Sequence, residues 1–238
     1  MTARSIVVAG GSSGIGLAVA RQALAEGWRT IVVDRQDPLE DLESLGARFV
    51  RCDLLDVGTA RTALEGIAQD EAGLDALVVS AGGAMNGHFA LRDAEVLVEE
   101  FSTDTHTVLR AVRYLLPALQ EGAQAHGVSD VVVIGSIAGS TAFEEAVVYG
   151  AAAAARHALG EQLRVELRGD RVRARTIATG YVETPLTARR SIPAVTDHIA
   201  LAPLTAQDVA AVVHHCLNTP QDVNVHDMVL VPTYQGWA

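Results

Sequence analysis

Seven short stretches of the chain are dominated by β-branched and aliphatic residues: 5–10 (SIVVAG), 30–34 (TIVVD), 48–53 (RFVRCD), 76–80 (ALVVS), 130–135 (DVVVIG), 172–178 (VRARTIA) and 227–232 (DMVLVP). A strand with one wet face alternates apolar and polar residues, whereas a run that is mostly apolar throughout must be covered on both faces. Between these runs the apolar spacing predicts helices over about 14–27, 57–71, 93–121, 146–168 and 206–217. Strands and helices in alternation have one economical packing, a parallel sheet with helices on both faces. The chain is therefore expected to be α/β, with a doubly wound parallel sheet of about seven strands.

Nothing divides this pattern. No linker rich in proline, glycine or serine and no internal repeat interrupts the 238 residues, so residues 1–238 read as one domain. Hydrophobic residues make up 49% and charged residues 20%, the balance of a compact chain with a large core. Aromatic residues are only 4%, which points to tight aliphatic packing. Residues 179–205 form one long irregular segment with three prolines, expected to be a loop with one short helix, closing over a pocket as a lid. At its end Thr205 and Asp208 have capping-box spacing.

The formal net charge is −11 without any block of like charges, which argues against a nucleic-acid partner and against an anionic membrane surface. Cys52 and Cys216 lie far apart and outside any metal-ligand spacing, and the HHC run at 214–216 is not read as a metal site either. Two unframed thiols fit a reducing compartment. With no signal-peptide core and no apolar run of about 18 residues, the expectation is a soluble, cytoplasmic protein acting on a small-molecule substrate.

The first strand leads into VVAGGSSGIG, which places Gly10, Gly14 and Gly16 between a strand and a helix, with Ser12, Ser13 and Ile15 among them. That order makes a tight turn whose backbone approaches a pyrophosphate closely, at a helix end with free N–H groups and a favourable dipole. Asp34 ends the second strand, where a carboxylate accepts hydrogen bonds from ribose hydroxyls and repels a 2′-phosphate. Arg35 follows and would accept that phosphate, so NAD is favoured and NADP stays open. Asp53, with Leu54 after it, ends the third strand where an adenine would lie; a helix N-cap is the alternative for Asp53.

Taken together, GGSSGIG (10–16), CDLLD (52–56), SAGG (80–83), LLPAL (115–119), Ser136 in VVVIGSIAG, Tyr149 thirteen residues later and TGYVETP (179–185) resemble the short-chain dehydrogenase/reductase family over essentially the whole chain. The tail DVNVHDMVLVPTYQ resembles a subgroup that acts on small hydroxy acids, amino alcohols and related aldehydes. The resemblance implies a Rossmann-like domain, a nicotinamide cofactor, and a homodimer or homotetramer built on the helices at 93–121 and 146–168. By the same resemblance Ser136 holds the substrate oxygen, Tyr149 passes the proton, and Ser80, Ala81, Gly82, Gly180, Val182 and Thr184 join the cofactor site. The family's lysine position is Ala153, and its asparagine on the preceding long helix is Asp104. Further departures are Ala9, Ser80, Arg175 and Thr179, most of them expected around the nicotinamide.

These departures fix what Tyr149 is expected to do. A free tyrosine titrates near about 10 and is protonated at neutral pH. As a general acid toward a carbonyl it needs only its proton, but as a base toward an alcohol it needs a nearby cation. Reduction is thus expected to survive better than oxidation, and an ionised Asp104 would deepen that bias. Arg156, seven residues on, shares the helix face. It is read as making a salt bridge or lining a subunit interface rather than reaching the pocket. Met85, His88, Phe89, Tyr181 and Leu186 are candidate substrate contacts, and Arg189 and Arg190 a solvated pair. Two other functions stay open: a cofactor-binding protein without turnover, and a non-redox cyclase, dehydratase or lyase using Ser136 and Tyr149.

Overall fold

The computed structural model describes residues 3–83, 87–188 and 202–236. Its chain order is β1 (Ser5–Ala9), α1 (Gly14–Ala25), β2 (Arg29–Asp34), β3 (Arg48–Arg51), α2 (Val57–Asp70), β4 (Ala76–Val79), α3 (Ala94–His126), β5 (Ser129–Ser136), α4 (Val147–Leu167), β6 (Val172–Thr179), β7 (Val182–Glu183), α5 (Pro185–Ala188), β8 (Leu204–Thr205), α6 (Ala206–Leu217) and β9 (Asp227–Leu230). Seven strands form one sheet in the order β3-β2-β1-β4-β5-β6-β9, and every pair is parallel.

The apolar runs divide by parity, as side chains on a strand must. Val7, Ile31, Val33, Leu77, Val79, Val131 and Val133 enter a core with Leu64 and Ile67 of α2 and Val108, Leu115 and Leu119 of α3. Their neighbours Ile6, Val8, Val32, Val78, Val132 and Ile134 face the other way, onto Leu17 and Val19 of α1 and Val209 and Val213 of α6. At about 1.5–3 kcal/mol for each fully buried aliphatic side chain, both layers are needed to hold the sheet.

Most element ends fall within a residue or two of the sequence reading, and the larger differences are at the end of α3 and in the β6–α6 connection. Helix α3 runs to His126, five residues beyond 121, and ends at Gly127 in the left-handed region at φ 95°. Gly122 lies inside it because a Cβ there would strike the Leu74 backbone of the preceding loop, so close contact keeps a residue of poor helix propensity in place. The β6–α6 connection contains α5 and a parallel two-stranded pairing of β7 with β8, which pairs Val182 with Leu204. Strands of two residues carry no periodicity to read. The Thr205–Asp208 capping box forms in full, whereas the N-cap of α2 is Asp56, which accepts from Thr59 N at 2.7 Å.

Part of the alanine run 151–155 of α4 packs within the chain. The turn at Ile137–Gly139 lies so close that a Cβ on Gly139 would sit 2.9 Å from the Ala153 carbonyl carbon and the Ala154 nitrogen. Ala152 and Ala153 are buried beneath it.

Candidate active site

The sheet reverses direction of winding between β1 and β4, and a ligand crevice is expected beyond the carboxyl ends of the strands at such a switch point. A cleft of about 380 Å³ opens there. It is lined by Gly10, Ser12, Ser13, Gly14, Ile15, Asp34, Arg35, Asp53, Leu54, Ser80, Ala81, Gly82, Asp104, Ser136, Tyr149, Gly180, Val182 and Thr184. Of the residues expected to be catalytic or to bind the cofactor, Gly16 alone is not on its wall. It works one layer behind: a Cβ there would overlap the Gly10 carbonyl, while one on Gly10, at φ 84°, would lie 2.5 Å from Ala81 Cα. The two glycines let the loop fold onto itself and onto the segment after β4.

At the α1 end, Ser13 occupies the N-cap but its side chain does not cap the helix, so the first-turn amides point into the cleft without a side-chain acceptor. Ser12 Oγ donates to Gln36 O at 2.7 Å and Leu39 N donates to Ser12 O at 2.9 Å, folding the loop after β2 over the glycine loop. The Asp34 carboxylate accepts from Ser12 N at 3.1 Å and Gln36 N at 3.2 Å, and exposed Arg35 stands beside it. Asp53 accepts from Leu55 N at 2.8 Å, so its carboxylate stays at the cleft and does not cap α2. Beside it, burial aided by Asp53 and Asp56 pushes the Cys52 thiol up to about 11.

At the other end, Ser136 closes β5 and its Oγ accepts from Ala138 N at 3.1 Å, which fixes the oxygen and leaves the hydroxyl proton to be donated. Tyr149 lies on the first turns of α4 and Ala153, one turn on, is a buried methyl on the cleft wall. Asp104, buried on α3, accepts from Gly83 N at 3.0 Å. Thr179, noted from the sequence as a departure, also lines this end, as do Thr103 and Thr107 of α3, which went unnoticed because a threonine on a helix carries no distinguishing local signal.

Arg156 is the main correction. It is not on the surface but 4% exposed and on the cleft wall. Its Nε donates to Ile134 O at 3.1 Å, Nη1 to Ala81 O at 2.7 Å and Asp104 O at 3.1 Å, and Nη2 to Val79 O at 3.1 Å. The same Nη1 lies 3.5 Å from Asp104 Oδ1, so the salt bridge exists, inside the site. Burial pulls the guanidinium below its ordinary value, against the opposing pull of Asp104 and Tyr149.

Arg175, expected near the nicotinamide, lies outside the cleft. It is fully buried with Arg173 around Asp130, and its Nη2 donates to Asp130 Oδ1 at 2.7 Å. Of the candidate substrate contacts, Leu186 lines the cleft; Phe89, His88 and Tyr181 do not, and Met85, Arg189 and Arg190 lie outside the described residues. Among the described residues no helix is long and apolar enough to cross a membrane.

A family model for short chain dehydrogenases matches residues 4–193, and the chain belongs to that family, a class of oxidoreductases. Serine 3-dehydrogenase from Rhizobium radiobacter is 30% identical over 246 residues, which span 98% of this chain and 96% of that protein. The closed form of serine dehydrogenase complexed with NADP+ matches with a TM-score of 0.84 at 25% identity, over 98% of this chain and 97% of that one. The Pseudomonas aeruginosa RhlG/NADP active-site complex matches with a TM-score of 0.87 at 25% identity, over the same shares.

Proposed function

We propose that this chain is a nicotinamide-dependent oxidoreductase of a small carbonyl or alcohol, that it favours reduction, and that Tyr149 is its proton donor with Ser136 holding the substrate oxygen. The observation that carries the reading is the convergence of Ser136, Tyr149 and the uncapped glycine loop on one cleft. The residues fit such a cofactor. The α1 amides suit a pyrophosphate, and Gly10 and Gly16 keep the loop in the shape that a side chain would break. When bound, the nicotinamide supplies the hydride to the carbonyl carbon. The likeness to serine dehydrogenases suggests a small hydroxy acid or amino alcohol as the alcohol partner.

The 2′-position is contested. Asp34 argues for NAD, while Arg35 and the NADP complexes of two similar proteins argue for NADP. We retain NAD on the charge of Asp34, held at the ribose end by two backbone amides. A dissociation constant lower for NADPH than for NADH overturns that choice.

In the reducing direction the Ser136 hydroxyl donates to the carbonyl oxygen, and Tyr149 passes its proton to that oxygen as it becomes an alkoxide. The reverse needs Tyr149 ionised, and Ala153 offers no charge to promote that. Because the overall equilibrium fixes the ratio of the two kcat/KM values, the bias is read in kcat against pH. The kcat for reduction should be flat through neutral pH, and that for oxidation should climb about tenfold per pH unit toward the free-tyrosine range near about 10. An oxidation kcat already on a plateau at neutral pH contradicts this.

The glycine loop gives a second expected result. Gly16→Ala drives a methyl into the Gly10 carbonyl. Overpacking of this kind costs about 1–3 kcal/mol, which amounts to about 5–150-fold in nucleotide affinity if the loop shape is lost. Unchanged affinity in a fluorescence titration would remove the loop from the cofactor site.

A further inference from the structure

A guanidinium that donates to four backbone carbonyls inside a cleft is immobile. Arg156 reaches the carboxyl ends of β4 and β5 at Val79 and Ile134, the following segment at Ala81, and α3 at Asp104, so it clamps three walls of the site together. It also brings one fixed positive charge to the Tyr149 end. That charge is offset, because Asp104 Oδ1 stands 3.5 Å from Nη1 and both side chains are nearly excluded from solvent. Gly82 keeps the pair in line with the cleft: a Cβ there would lie 2.6 Å from Asp104 Oδ1 and 3.1 Å from Arg156 Nη1.

We infer that Arg156 is a positioning residue whose charge is available to the Tyr149 hydroxyl but masked by Asp104, so that the pair holds the tyrosine in its proton-donating form and removing the mask converts it toward a base. The inference rests on the oxidoreductase reading for its meaning, but not for its test. Among the described residues lining the cleft, no other charged side chain stands at this end. Among the described residues α3 brings Asp104 and α4 brings Arg156 to this end, while β4 and the segment from Ser80 to Gly83 bring no titratable side chain. Asp130 of β5 is at the opposite end of its strand, engaged by Arg173 and Arg175. Asp34, Arg35, Asp37 and Asp53 line the cleft at the β2 and β3 ends. The mutual attraction of Arg156 with both Asp104 and Tyr149 agrees with this arrangement. An opposite charge within several Å moves an ionisation by about 1–3 pH units in a partly buried site, so the mask is large enough to matter.

The test follows the tyrosine itself. The chain has four tyrosines, and the near-ultraviolet tyrosinate signal of Tyr149 is obtained by difference from Tyr149→Phe. In Asp104→Asn, which keeps the side-chain shape, the Tyr149 midpoint should fall by at least one pH unit relative to wild type, a tenfold or greater gain in ionised fraction. In the double variant Asp104→Asn with Arg156→Met, which removes both charges, the midpoint should return to within half a unit of wild type. A wild-type midpoint retained in Asp104→Asn overturns the inference, as does a double variant that stays displaced. If Asp104→Asn does not fold, Arg156→Met decides with the opposite sign: it leaves Asp104 unmasked, so the Tyr149 midpoint should rise by at least one pH unit, and an unchanged midpoint overturns the inference. A purely structural pair would shift melting temperature in both variants without this reversal. Turnover is not required, so a missing oxidoreductase activity sinks the proposed function and leaves this result standing.

Discussion

Tyr149→Phe should lower kcat for carbonyl reduction by about 10²–10⁴-fold, the range associated with a positioned proton donor. Nucleotide affinity should stay within about twofold, since the substitution removes one oxygen and the cleft has its anion-binding elements at the opposite end. Steady-state kinetics over several carbonyl substrates, with a nucleotide titration on the same preparation, separate the two quantities. Reduction that persists at wild-type rates would leave Tyr149 a packing residue and move proton delivery to water or to Asp104.

Asp130→Ala should destabilise the fold more than any substitution in the cleft. Asp130 lies in the core, where its carboxylate meets Arg173 Nε and Nη2 at 2.9 Å each and Arg175 Nη2 at 2.7 Å. Arg173 is further tied to Pro220 O at 2.8 Å and Val223 O at 2.7 Å, and Arg175 to Cys216 O. Two guanidinium groups thus share one carboxylate between β5, β6 and the end of α6. Deleting the carboxylate strands two buried cations, and breaking a buried ion pair on one side costs about 3–5 kcal/mol. For a chain of this size that corresponds to about 6–20 °C in Tm. Calorimetry checks it, and a Tm within about 2 °C of wild type would show that the cluster relaxes to solvent.

The difference between what the residues announced and what they concealed is physical. A strand covered on both faces must be apolar at successive positions, so Val7, Val8, Val32, Val33, Val131 and Val132 declare the parallel sheet directly. The glycine loop is legible for the same reason, since tight backbone approach excludes side chains whatever lies further along the chain. The buried arginines are different. Arg156, Arg173 and Arg175 look like surface residues in any local window, and only long-range partners make their burial affordable. Arg156 reaches a carbonyl 77 positions away, and the two arginines of β6 depend on an aspartate 43 and 45 positions away. Spacing along α4 puts Arg156 on the face of Tyr149, but nothing local places four acceptors around it. The position of Arg175 in the core beside Asp130 and Cys216, rather than at the cleft, was hidden likewise. Asp104 was legible as an oddity of the helix before β5; its pairing was not.

A nicotinamide nucleotide seated on the α1 end of the cleft and reaching across the strand ends to Tyr149 must bind saturably to the wild-type protein. Titration of the wild-type protein with NADH and with NADPH, followed by energy transfer and by calorimetry, tests it most directly. At least one of the two should bind saturably at micromolar levels, more weakly to Gly16→Ala and unchanged to Tyr149→Phe. No heat and no saturation with either nucleotide at millimolar concentration would contradict it.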